Sequence, residues 1–141
     1  MTRLANASWE ALLHAQSVMM RHFAAEEMWD EATMREYDVP YTLSKHPDGL
    51  RMSDLSGNIL LSQPTISRMI DRLHQRGLVT REHVPGDRRG VTVTLTEAGR
   101  TARKRIGHAH AKSVAACMSK SLGPEEMIAL QDLCAKITEP K

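Results

Sequence analysis

The run S-Q-P-T-I-S-R-M-I-D-R-L-H-Q-R-G-L-V-T-R-E-H-V-P-G-D-R-R-G-V-T-V-T-L-T-E-A-G occupies residues 62–99. It divides into a helix, a two-stranded hairpin with a basic tip, and the start of another helix. Ile66, Met69, Ile70 and Leu73 fall at i, i+3, i+4 and i+7, one apolar stripe of an amphipathic helix over residues 62–76. Ser62 suits the N-cap, Pro64 is tolerated in the first turn, and Gly77 ends the helix. At 1.5 Å per residue it is roughly 22 Å long. The other face carries Gln63, Thr65, Ser67, Arg68 and Arg72. Gln and Arg bond base edges bidentately, and Ser and Thr bond bases or phosphates. A solvated surface helix presents the same kind of face, so the neighbouring hairpin carries the distinction.

Leu78 to Val84 is rich in β-forming residues, and Val91, Val93 and Leu95 alternate with Thr92 and Thr94. Pro85, Gly86 and Gly90 supply the turn between the strands. The turn also holds Asp87, Arg88 and Arg89. An arginine-bearing loop too thin to hold a core suits a narrow minor groove, where negative potential is high. Asp87, two residues from Arg89, is expected to steady that guanidinium by a charge-assisted bond.

The run D-R-R-G-V-T-V-T-L-T-E-A-G resembles the wing signature of the MarR family of bacterial transcription regulators: Asp, any residue, Arg, then Leu-Thr-x-x-Gly. Those positions are Asp87, Arg89, Leu95, Thr96 and Gly99. Upstream, L-S-Q-P-T-I-S-R-M-I-D-R-L-H-Q-R-G-L-V resembles the family's recognition helix and first wing strand. The likeness extends loosely over nearly the whole chain. It implies a homodimer joined through terminal helices, and an inducible repressor released by a small phenolic or other lipophilic anion or by cysteine oxidation.

At 141 residues the chain is one domain or two small lobes sharing a core. Apolar residues at 41% suffice for a packed fold. No apolar run is long enough for a transmembrane helix and no signal pattern opens the chain, so a cytoplasmic protein without a membrane partner is expected. Net charge is only +2, but it is unevenly placed. Residues 1–50 hold 4 Lys/Arg against 8 Asp/Glu, whereas residues 51–105 hold 11 against 5. Basic charge therefore gathers on the proposed reading head, as phosphate binding requires.

The rest of the chain reads as helices. One is expected over residues 8–28, with Ser8 as cap and Trp9, Leu12, Leu13, Gln16, Met20 and Phe23 along one side. A second runs from about Thr33 to His46, broken or kinked at Pro40. Pro47 to Gly49 form a turn, Ser53 to Ile59 a supporting helix, and Leu60 and Leu61 the tight connection of a helix-turn-helix. Thr96 caps a long helix to about Lys120, whose Arg100, Arg103, Lys104 and Arg105 are candidates for phosphate contact. Gly123 and Pro124 open a last helix burying Met127, Leu130, Leu133, Cys134 and Ile137.

The expected fold is mostly α with a small β-hairpin: a winged helix-turn-helix with N- and C-terminal dimerisation helices. Residues 1–31 form the first dimerisation segment, 32–100 the DNA-binding domain and 101–141 the second dimerisation segment. A two-fold pair would set its reading helices about one DNA turn apart, roughly 34 Å, on a pseudo-palindromic site.

DNA-facing candidates are Gln63, Thr65, Ser67, Arg68, Arg72, Asp87, Arg88 and Arg89. Candidates around an effector pocket are Trp9, His14, His22, Trp29 and Tyr37, although aromatic residues mostly pack. Cys117 and Cys134 could face each other and respond to oxidants, but small buried thiols are the simpler reading. They fit no zinc spacing, and His108 and His110 point to different faces, so no metal and no cofactor is expected. Glu26–Glu27 and Glu125–Glu126 read as solvated or helix-end charge. With no phosphate loop, nucleophile elbow or metal motif, catalysis is not expected. The competing class is a winged-helix module that binds protein or RNA, although the deep groove of A-form RNA excludes side chains.

Overall fold

A computed structural model describes residues 1–139, and the last two residues of the expected C-terminal segment lie outside the described residues. The elements are α1 (Thr2–Ala24), α2 (Asp38–Leu43), β1 (Leu50–Arg51), α3 (Met52–Ile59), α4 (Gln63–Gln75), β2 (Val79–His83), β3 (Val91–Leu95), α5 (Glu97–Ser119) and α6 (Pro124–Thr138). The mostly helical winged fold is thus observed. The hairpin is in fact part of a three-stranded antiparallel sheet, ordered β1-β3-β2. β1 is only two residues long, with Leu50 opposite Val93 and Arg51 opposite Thr92. It pairs along the free side of β3 and ties the wing to the helix-turn-helix.

The α4 stripe behaves as its spacing requires: Ile66, Met69, Ile70 and Leu73 are all buried. They pack with Leu55, Leu43, Val79, Val93 and Ile106 in one core. Ser62 caps α4 by accepting from the Thr65 N–H. Leu60 turns the chain between α3 and α4 in the left-handed region, at φ 61°. The Ser56 hydroxyl fastens that turn by donating to the Leu61 carbonyl at 2.6 Å.

The Leu-Thr-x-x-Gly run has a visible cause. Thr96 accepts from the Gly99 N–H at 3.0 Å, capping α5, and donates to the Gly77 carbonyl at 2.7 Å. A Cβ at Gly99 would lie 2.0 Å from the Leu78 carbonyl oxygen, so only glycine lets α5 start this close to β2.

Three helices differ from expectation. α1 begins at Thr2, and Ser8 is inside it, its hydroxyl donating back to the Leu4 carbonyl at 2.9 Å rather than capping. The segment expected as one helix from Thr33 to His46 is a turn over residues 33–37 followed by the short α2. Pro40 sits in the first turn of α2, where the lost N–H matters little. The carbonyl it would have used, that of Glu36, is taken by the Val39 N–H at 3.1 Å. Finally, α6 buries no residue within the chain. Leu130, Leu133 and Ile137, expected to be buried, are exposed, and so is most of α1 apart from Phe23.

Candidate nucleic-acid interface and effector cavity

α4 turns Gln63, Ser67 and Arg68 outward, with Thr65 half-buried beside the Ser62 cap. Arg68 forms no ion pair among the described residues, and neither do Arg88 and Arg89 at the wing tip. These three guanidiniums are therefore free for an outside partner.

Asp87 does not hold the Arg89 guanidinium as expected. Its Oδ1 accepts the Arg89 backbone N–H at 3.0 Å, and its Oδ2 faces Arg51 Nη1 at 3.5 Å. A short acidic side chain reaches its own backbone two residues on more readily than a long flexible partner does. The wing tip is thus shaped by Asp87 and leaned against β1, with its arginines left pointing free.

Arg72 is more engaged than its position on the reading helix implied. Its Nε donates to Glu36 Oε2 at 2.9 Å, and Arg76 Nη1 donates to Glu36 Oε1 at 2.9 Å. Glu36 is only 2% exposed, whereas both arginines remain partly open to solvent. Thr33 and Glu36 form a capping box: the Thr33 N–H reaches Glu36 Oε1 and the Glu36 N–H reaches the Thr33 hydroxyl. Burial alone pushes the Glu36 carboxyl up. The bonds from Thr33, Arg76 and Arg72 outweigh it and bring the pKa down to about 2.

Other basic residues are also committed. Arg81 pairs with Asp71, and Arg105, expected from the sequence as a candidate for phosphate contact, instead holds Asp30 at 2.6 Å and Glu31 at 2.9 Å. Arg100 Nη1 donates to the Leu95 carbonyl at 3.1 Å.

Between the end of α1, the 29–41 segment and α5 lies a cavity of about 530 Å³. Phe23, Trp29, Tyr37 and His110 form its aromatic wall, with Arg35 and Arg103 at its edge. The Trp29 ring lies tilted against His110, centroids 5.3 Å apart, and edge-on to Tyr37 at 5.8 Å, and its Nε1 donates to the Phe23 carbonyl at 2.7 Å. Burial raises the pKa of Tyr37, while the Arg103 cation works against that rise. A Cβ at Gly107 would lie 2.6 Å from Tyr37 Oη, so glycine there lets the tyrosine seat against α5. His110 Nδ1 is buried with no hydrogen-bond partner among the described residues.

A sequence profile described as MarR family matches residues 32–91, from the strap before α2 to the first residue of β3. Over residues 32–91, a little under half of its length, the chain resembles the MarR family. Individual relatives extend that likeness. The HTH-type transcriptional regulator PecS of Dickeya dadantii is 30% identical over 81 residues, which is 56% of this chain and 49% of that protein, so the match spans about half its length. AbsC, a MarR family transcriptional regulator from Streptomyces coelicolor, has 28% identity, covers 94% of this chain and 90% of its own, and superposes with a TM-score of 0.82. The PcaV transcriptional regulator from Streptomyces coelicolor, solved in complex with its natural ligand, has 25% identity over 87% of both chains and a TM-score of 0.74.

Of the five residues expected around an effector, the cavity brings together Trp29 and Tyr37 only. Trp9 and His14 lie on the open face of α1, Trp9 being 60% exposed. His22 is exposed too, pairs with Glu26 and borders a separate groove between α1 and α5. Sequence reasoning took Arg103 for phosphate contact, weighed His110 only as a metal ligand, and did not single out Glu36. Thr33-Met34-Arg35-Glu36 has the Thr-x-x-Glu pattern of a capping box, a signal that marks Glu36 locally but not its distant arginines. Cys117 and Cys134 are free thiols, each half-buried. Among the described residues no His, Cys, Asp and Glu cluster is placed to hold a metal, and no helix is long and apolar enough to cross a membrane.

Proposed function

We propose that this chain is a double-stranded-DNA-binding transcription regulator that acts in the cytoplasm as a homodimeric repressor. A small aromatic or lipophilic effector in the 530 Å³ cavity would loosen its hold on a pseudo-palindromic operator. One observation carries the reading: the polar face of α4 lies beside a narrow hairpin tipped by two unpaired arginines. Gln63, Thr65, Ser67 and Arg68 approach bases, and Arg88 and Arg89 approach the minor groove and backbone. Arg72 contributes to the same face while held by Glu36.

Residues 1–31 and 101–141 are assigned to dimerisation. Leu133 and Ile137 on α6 are 58% and 70% exposed, and a second copy under a two-fold axis covers such a face. The effector reading rests on the aromatic cavity and on the unpartnered His110 Nδ1, and PcaV, bound to its natural ligand, supports it. No catalytic role is proposed, in line with relatives that are regulators by name.

A gel-shift with duplex DNA from upstream of its own gene tests the central reading. Binding is expected to be tight at about 50 mM salt and to fall steeply by about 200 mM as counterions are released. Absence of binding at the lower salt would end the DNA-regulator reading.

A further inference from the structure

We propose that Glu36 is a positioning residue for the reading helix, carrying the state of the cavity wall to α4 through Arg72 and Arg76. The inference rests on the DNA-binding reading given above. Its basis is the segment from Trp29 to Tyr37, which acts as a strap across the molecule. At one end Trp29 is bonded to the Phe23 carbonyl of α1. In the middle, Asp30 and Glu31 are held by Arg105 of α5, and the Glu31 carbonyl accepts from Arg76 at 3.3 Å. Towards the other end, Glu36 grips α4.

The grip is two-pointed. Arg72 and Arg76 lie one helical turn apart, and each takes a different oxygen of the same carboxylate. A single contact would leave α4 free to rotate about its axis. Two contacts a turn apart fix both its rotation and its distance from the strap. The carboxylate cannot swing away, because Thr33 caps it from behind.

The same strap is cavity wall. Trp29, Met34, Arg35 and Tyr37 line the cavity, and Arg35 and Tyr37 flank Glu36 in the chain. A molecule that pushes on Arg35 or Tyr37 moves the backbone bearing Glu36 and therefore pulls on two arginines of the reading helix.

Coupling between two sites is reciprocal, so DNA on α4 must be felt at the cavity. This gives a test that needs no effector. The chain has two tryptophans, and Trp9→Phe leaves Trp29 as the sole reporter on the strap. The Trp9→Phe protein is titrated with duplex from upstream of its own gene at low salt. Anisotropy of the labelled duplex measures binding, and Trp29 emission measures the strap.

Trp29 emission is expected to change as DNA saturates. Adding Glu36→Gln should weaken DNA binding at least about fivefold and abolish the emission change at saturation, with far-UV circular dichroism unchanged. Arg76→Gln lies on the half-exposed side of the pair and should reproduce part of that loss, which keeps the test decisive should Glu36→Gln fold poorly. A bound duplex with silent Trp29 in the parent overturns the proposal. So does a full Trp29 response in either folded variant, which would leave Glu36 a brace and nothing more. No duplex binding by the parent would instead end the DNA-regulator reading, and the coupling with it.

Discussion

Leu55, Ile66, Ile70, Leu73 and Val93 in the winged half are completely buried, whereas α6 in the same chain buries nothing. Both regions are helical, and both carry apolar residues at helical spacing. They differ in where the complementary surface comes from. α3, α4, the sheet and the start of α5 find it within the chain, and so close a core. α1 and α6 leave Trp9, Leu130, Leu133 and Ile137 in water. The winged half closes a core of its own, while α1 and α6 leave apolar surface that the proposed second copy would cover.

The sharpest way to break that comparison is a cavity in the closed half. Leu73→Ala should lower unfolding free energy by about 2–5 kcal/mol in a urea titration. A loss near zero would show that the winged core is not the self-sufficient part. Next in size is the acid response of the strap between the halves. The Glu36 carboxyl, about 2 in the fold, lies below its usual 4.5, so its contribution is fully present above about pH 4.5 and disappears as pH falls towards 2. We expect on the order of 2–3 kcal/mol of stability to go in that window, and Glu36→Gln to flatten the slope, as read by unfolding at about pH 5.5 and about pH 3.

The open half is tested through association. Leu133→Asp should raise the dimer dissociation constant at least about tenfold, or about 1.4 kcal/mol, in sedimentation equilibrium, and leave the winged core intact. Unchanged self-association would move the interface elsewhere. The smallest effect is expected at the wing tip, where Arg89→Ala should weaken operator binding by at least about 1 kcal/mol without changing the melting temperature. Undiminished binding would remove the tip from the interface.

What the chain's letters disclose depends on range. The α4 stripe, the Ser62 and Thr96 caps and the alternating β3 strand are local patterns, and each lies where its spacing placed it. β1 escaped because two residues carry no period, and it exists only because β3 offers a free edge. Glu36 was not singled out, since its arginines stand 36 and 40 positions away and no spacing links them. Asp87 was expected to steady the Arg89 guanidinium, and instead it accepts the Arg89 backbone N–H. On α6 the stripe was right about which residues are apolar, yet a stripe does not say whose surface covers it.

α5 runs unbroken for 23 residues, about 34 Å. Near one end Gly99 lets it touch the root of β2, and two turns further Gly107 lets it touch Tyr37. On the proposed reading it would work like a tiller, with its handle at the cavity and its blade the finger offered to DNA. In a pair of subunits the two tillers would be lashed together at their far ends. The gap between the two fingers would then be set where the subunits meet, and a slight tilt there could mismatch the groove spacing without deforming either reading head.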